Sequence, residues 1–196
     1  MPENIVLCGV GGQGTILASK LISAAAMQKG LAVMSAETIG MAQRGGSVFS
    51  HIRLGEGIEA PMFKHGSADI IIAFEPGEAV RRLPFLKRGG AVVCSTVAVM
   101  PTTAALKGGN YRAEDMIGHL EKVVLPGRLF LVDGEEAARS LGSPRVLNMV
   151  LLGMASRSGA LGLTEEDLLS AMPSVLPGRF LELNRKAFYF TSQHSS

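Results

Sequence analysis

The residues with most chemical potential in this chain are glycines. Residues 8–20 read CGVGGQGTILASK, directly after the apolar run Ile5-Val6-Leu7. Gly9, Gly11 and Gly14 satisfy the pattern G-x-G-x-x-G, and Gly12 adds one glycine more than it requires. A strand, a glycine turn and a helix in that order offer free backbone N–H groups and a positive helix end to an anion. Glu37 follows Gly14 by 23 residues, close to the spacing of about 20 at which a dinucleotide fold places its ribose-binding acid. A triphosphatase loop fits less well, because Thr15 stands after Gly14 where the P-loop needs Lys. The third reading is structural: the glycines let the chain turn tightly against a sheet. A second constellation, Arg44-Gly45-Gly46, follows the second apolar run. Its guanidinium could grip a phosphate or carboxylate bidentately, although taken alone it reads first as a turn with a solvated arginine. Both turns are expected at the carboxyl ends of the strands, with Arg44 the only fixed cation beside them. The candidate ligand-binding residues are therefore Gly11, Gly12, Gln13, Gly14, Arg44 and Gly45. Glu37 is expected to close its strand and to pair with Arg44, and Asn148 to be a buried amide satisfied by backbone.

Composition removes several function classes. A net charge of +2 without a Lys/Arg run argues against nucleic acid, which needs several phosphate-neutralising cations on one face. No apolar stretch reaches the roughly 18 residues of a membrane span. Met1-Pro2-Glu3-Asn4 enters a strand without the order of a signal peptide, so the cytoplasm is the expected compartment. Cys8 and Cys94 each sit in an apolar run, and the four histidines lack ligand spacing; two buried thiols, no metal and no iron–sulfur cluster are expected. The charged fraction is 18%, against a usual value of about 25%, and the mean hydropathy is +0.28. A surface so poor in charge is expected to be covered in part by another chain.

The elements that must position these residues alternate between strand and helix signals. Strands are expected at 5–10, 31–37, 68–74, 91–95 and 129–132, the run Ala68 to Phe74 being continuous enough for a parallel strand buried on both faces. Residues 47–54 alternate like a half-exposed strand, and Gly55-Glu56-Gly57 reads as the turn of a hairpin into Ile58-Glu59. Helices are expected at 14–28, with Ile16, Leu17, Leu21 and Ile22 on one face, at 76–86, 113–122 and 135–141, and from Ser143-Pro144 to about 158. Thr164 caps a short helix that Pro173 ends, and an amphipathic helix spans 179–190. The fold class is α/β, a single domain of residues 1–196 in three layers. Its sheet is Rossmann-like and mostly parallel, with an inserted hairpin.

Several segments together resemble a known family. GVGGQGTILASKL, AETIGMAQRGGSVFSHIRLG, ADIIIAFEPGEAVR and GGAVVCST, continued by VDGEEAARSLGSPRVLNMVLLG and ELNRKAF, are similar to the gamma-type subunits of 2-oxoacid:ferredoxin oxidoreductases. Within them, the small (beta) subunits of indolepyruvate ferredoxin oxidoreductases are the nearest. The resemblance runs over roughly residues 4–188, and Thr191 departs from it, standing near an expected glycine. It implies a subunit of an enzyme that oxidatively decarboxylates a 2-oxoacid to an acyl-coenzyme A while reducing ferredoxin. Thiamine diphosphate and the iron–sulfur clusters are then carried by a large partner subunit, which ferredoxin meets. This chain binds no cofactor tightly, contacts coenzyme A through the glycine turns, and is inactive alone. The alternative is a free-standing dinucleotide-binding module, using NAD or flavin for redox chemistry or regulation.

Overall fold

The structure, a computed structural model, describes residues 3–37, 46–99 and 111–193. Arg44 and Gly45 lie outside the described residues. Strand β1 (Glu3–Val10) leads through the glycine turn into helix α1 (Thr15–Gln28), and β2 (Val33–Glu37) follows. After β3 (Ser47–Leu54) and β4 (Ala68–Ala73) come α2 (Pro76–Arg82) and β5 (Leu86–Ser95). The chain continues with α3 (Ala113–Val123), β6 (Leu129–Val132), α4 (Gly134–Leu141), α5 (Leu147–Arg157), α6 (Glu165–Val175), α7 (Gly178–Phe188) and the short α8 (Phe190–Gln193).

The sheet order is β2-β3-β1-β4-β5-β6. The pairs β1–β4, β4–β5 and β5–β6 are parallel, whereas β3 runs antiparallel to both β1 and β2. Five strands thus share one direction and β3 is reversed. The expected strand at 47–54 is present, but Ile58-Glu59 is not a hairpin arm. Instead β3 is inserted between β1 and β2, pairing with β1 along its whole length from Glu3↔Leu54 to Val10↔Ser47.

Alternation along the strands builds two cores. Ile5, Leu7, Ile70, Ile72 and Val93 face one side with α1, α5, α6 and α7; Val6, Cys8, Ile71, Val92 and Cys94 face the other with α2 and α3. Ile70, Ile71 and Ile72 are fully buried, each contributing about 1.5–3 kcal/mol, which secures β4 as the centre of both layers. Helix α1 buries Ala18, Leu21, Ile22, Ala25 and Ala26, whereas Ile16, expected on one face with Leu21 and Ile22, is 49% exposed.

Three helix boundaries moved for local reasons. Pro84 ends α2 at Arg82 and draws Leu83–Phe85 into a 3₁₀ turn, because proline cannot donate to a continuing helix. Ser143 accepts from Arg145 N and opens a 3₁₀ turn, Pro144–Val146, before α5 begins. Pro173 does not end α6, which the Thr164–Asp167 capping box starts and which continues to Val175. At the C-terminus, Thr191 is buried and accepts from Arg157, which also donates to Phe188 O at 3.3 Å and to Glu165 at 2.7 Å. The hydroxyl that departs from the family pattern is thereby built into the packing of α5 against α7 and α8.

Candidate functional site

The glycine turn leaves β1 at the carboxyl edge of the sheet, where α/β folds bind ligands. Gly12 and Gly14 have φ of 99° and 92°, left-handed values that a side chain would strain. Gly14 is the N-cap of α1, so no side chain caps the first turn, and no acidic residue occupies it. The positive end of a fourteen-residue helix is therefore uncompensated there. Gly11 N–H donates to Gly46 O at 2.9 Å, which ties the glycine turn to the residue that leads into β3.

Gln13 faces inward. Its Oε1 accepts from Val10 N–H at 2.7 Å, its Nε2 donates to Phe74 O at 3.1 Å, and its own N–H donates to Val10 O at 3.2 Å. The side chain joins the end of β1 to the end of β4, and the backbone N–H closes the turn on Val10. Gly9 completes the fit, since a Cβ there would meet Gln13 Oε1 at 2.7 Å and Phe74 Cβ at 2.9 Å. Gln13 thus holds the turn and offers a ligand little beyond its aliphatic stem.

Beside the turn lies a cleft of about 570 Å³. Leu17, Val97, Val99 and Leu147 give it apolar walls, and Glu135, Arg145 and Asn148 supply polar groups. Asn148 is 2% exposed and accepts from Met149 N–H at 2.9 Å through Oδ1. Its Nδ2 lies 3.0 Å from where a Cβ of Gly14 would stand, so the amide is satisfied by backbone on one side and overhangs the glycine turn on the other. A shallower hollow of about 340 Å³ opens on the same glycines beside Lys20. Among the described residues two cations stand by the turn, where a single one, Arg44, was expected: Arg145 lines the cleft and Lys20 the hollow. Arg145 carried one sequence signal, a positive charge just after an N-cap, where the helix dipole disfavours it. A larger hollow of about 790 Å³ between α4 and α7 has neither the glycine turn nor the strand ends.

The opposite side of the same edge buries charge. Glu75 caps α2 by accepting from Glu78 N–H at 2.9 Å and receives the Tyr111 hydroxyl on its other oxygen, while Gly77 N–H donates to Tyr111 at 3.0 Å. Burial pushes the Glu75 carboxyl up, and burial together with that carboxylate raises the Tyr111 phenol. Cys8 and Cys94 are free and fully buried. Burial drives both thiols far up, keeping them protonated and inert. Cys8 pairs with Ala73, which pairs with Cys94, so the thiols stand two strand spacings, about 10 Å, apart. Two protonated thiols in that placement do not fit an iron–sulfur cluster, which takes four thiolates.

Glu37 ends β2, and β3 separates that strand from β1. A dinucleotide fold needs the acid on the strand next to the glycine turn; here it stands one strand spacing, about 5 Å, further out.

Comparison with known proteins agrees with the topology. The model of the family "Pyruvate ferredoxin/flavodoxin oxidoreductase" matches residues 4–191. Indolepyruvate oxidoreductase subunit IorB of Methanothermobacter thermautotrophicus is 39% identical over 189 residues, covering 96% of this chain and 95% of that protein. The crystal structure of the gamma subunit of a keto/oxoacid ferredoxin oxidoreductase from Geobacter sulfurreducens superposes with a TM-score of 0.65 at 25% identity, over 95% of this chain and 94% of that one. A 2-oxoglutarate:ferredoxin oxidoreductase from Magnetococcus marinus, solved with 2-oxoglutarate, coenzyme A and succinyl-CoA bound, has the same fold over 98% of this chain and 30% of its own, with a TM-score of 0.70 at 22% identity. With a family match over residues 4–191 and 39% identity to a relative along almost its whole length, this chain belongs to the pyruvate ferredoxin/flavodoxin oxidoreductase family.

Proposed function

We propose that the chain is the small subunit of an indolepyruvate-type 2-oxoacid:ferredoxin oxidoreductase, and that its glycine-turn edge receives coenzyme A. The observation that carries the first half is the family match over residues 4–191, joined to 39% identity with a whole IorB subunit. The carbon chemistry would then belong to a large partner subunit, which would hold thiamine diphosphate for the decarboxylation and iron–sulfur clusters for electron transfer to ferredoxin. This chain's residues bind and orient. The uncapped start of α1, the apolar cleft and Arg145 match a molecule with phosphates at one end and a thin apolar arm at the other. Gly11, Gly12 and Gly14 with Arg44 and Gly45 form the anion-binding corner, and Gln13 holds it in shape. Holding the coenzyme thiol close to the partner's reacting centre would raise turnover by proximity.

The test is Arg44→Ala in the assembled enzyme. Loss of a charge-assisted hydrogen bond to a phosphate, roughly 1.5–3 kcal/mol, raises KM for coenzyme A by about one to two decades. Arg44→Lys restores part of it, a point charge being unable to reproduce the planar fork. If Arg44 instead pairs across the subunit interface, the same variant loosens the complex in size-exclusion chromatography and leaves that KM unchanged. An intact complex with an unchanged KM contradicts the coenzyme reading.

A further inference from the structure

The first residues of β3 are held by charge buried under α2. Ser47 Oγ donates to Glu78 Oε2 at 2.5 Å and accepts from Arg82 Nη2 at 3.4 Å. Glu78 is 1% exposed. Its second oxygen takes no hydrogen bond and has an ion pair at 3.6 Å with Arg81, a residue half exposed to solvent. The Arg82 guanidinium lies 3.8 Å over the Phe49 ring, and its Nε is buried without a partner. One residue before Ser47, the Gly46 carbonyl takes the Gly11 N–H of the glycine turn.

Burying a carboxylate and a guanidinium this incompletely is costly, and an apolar residue of similar volume would pack α2 on the sheet at least as well. Stability alone therefore does not account for Glu78. Its carboxylate is instead spent on one hydroxyl, and that hydroxyl sits where the chain from Arg44 and Gly45 enters the sheet. We propose that Glu78 is a positioning residue for the anion site: through Ser47 and Gly46 it fixes the backbone against which the glycine turn is set. The route is short, running from carboxylate to hydroxyl, across one peptide unit, and from Gly46 carbonyl to Gly11 amide. Glu78 reaches the ligand only through these groups. The inference rests on the reading that this corner receives coenzyme A.

Two measurements on Ser47→Ala, Ser47→Thr, Glu78→Gln and the Ser47→Ala/Glu78→Gln double variant test it. Amide hydrogen exchange at Gly11 reads the tether without any ligand, and steady-state kinetics of the assembled enzyme with coenzyme A varied reads its consequence. Ser47→Ala and Glu78→Gln should speed Gly11 exchange about three- to tenfold, the size of one net hydrogen bond. They should raise KM for coenzyme A by a similar factor with kcat little changed. Ser47→Thr keeps the hydroxyl and should restore both, and the double variant should be no worse than either single one, because the two residues share one interaction. Unchanged Gly11 exchange overturns the tether. Faster exchange with an unchanged KM, in an enzyme whose Arg44→Ala variant does lose coenzyme A, overturns the positioning role. If Arg44→Ala also leaves KM unaltered, the coenzyme reading itself has failed and the positioning role falls with it.

Discussion

At the scale of single residues, the glycine turn is held from behind by Gln13, whose amide takes the Val10 N–H and the Phe74 carbonyl. Gln13→Ala strands both backbone groups in a partly buried place, at about 1–3 kcal/mol; chemical denaturation should show a lower midpoint at unchanged slope, and an unaltered midpoint would contradict the clamp. His51 makes a different kind of prediction. Its ring is buried among Phe63 at 4.3 Å, Phe85 at 4.8 Å and Phe49 at 5.6 Å, with neither nitrogen hydrogen-bonded. Burial, helped by the positive Arg82, holds its pKa below the usual 6.5. The unfolded chain therefore binds a proton that the folded chain refuses. The stability of the neutral form is complete above pH 6.5 and is lost as pH falls through 6.5, at up to about 1.4 kcal/mol per unit. Melting temperature should drop between pH 7.5 and 5.5, and His51→Phe should flatten the drop; an equal slope in both proteins would remove His51 as its source.

At the scale of elements, what could be read in advance is what local pattern controls. The apolar run at Ile70 to Phe74 gave the central strand, and the glycines gave the turn into α1. The insertion of β3 could not be read this way. Alternation at Ser47 to Leu54 marks a half-covered strand but says nothing about which strands flank it, and pairing with both β1 and β2 is settled by contacts far apart in sequence. Arg145 was missed for a related reason: the fold, rather than spacing, brings the start of α5 over the glycine turn. Gln13 was legible as part of the site but not as its support, because a carboxamide that binds a ligand and one that binds backbone leave the same letter. The insertion of β3 has a consequence that titration can measure. With Glu37 one strand further from the turn, NAD, NADP and FAD lose the ribose contact of a dinucleotide fold. Calorimetry should find no binding tighter than about millimolar, or roughly 4 kcal/mol; micromolar affinity for any of them would revive the dinucleotide alternative.

At the scale of the whole molecule, Ile16, Met27, Met62, Val123 and Leu125 are each about half exposed or more on a chain with little surface charge, as a subunit awaiting a partner requires. Its cysteines are buried and two strand spacings apart, a placement that does not fit an iron–sulfur cluster. Reconstitution tests the division of labour between the two subunits. The purified chain, the large indolepyruvate-type subunit from the same organism, and the two combined should each be assayed for viologen reduction with an arylpyruvate and coenzyme A. Only the combination should turn over with coenzyme A dependence. Reduction by this chain alone, or a large subunit that performs equally well without it, would show that the labour is not so divided.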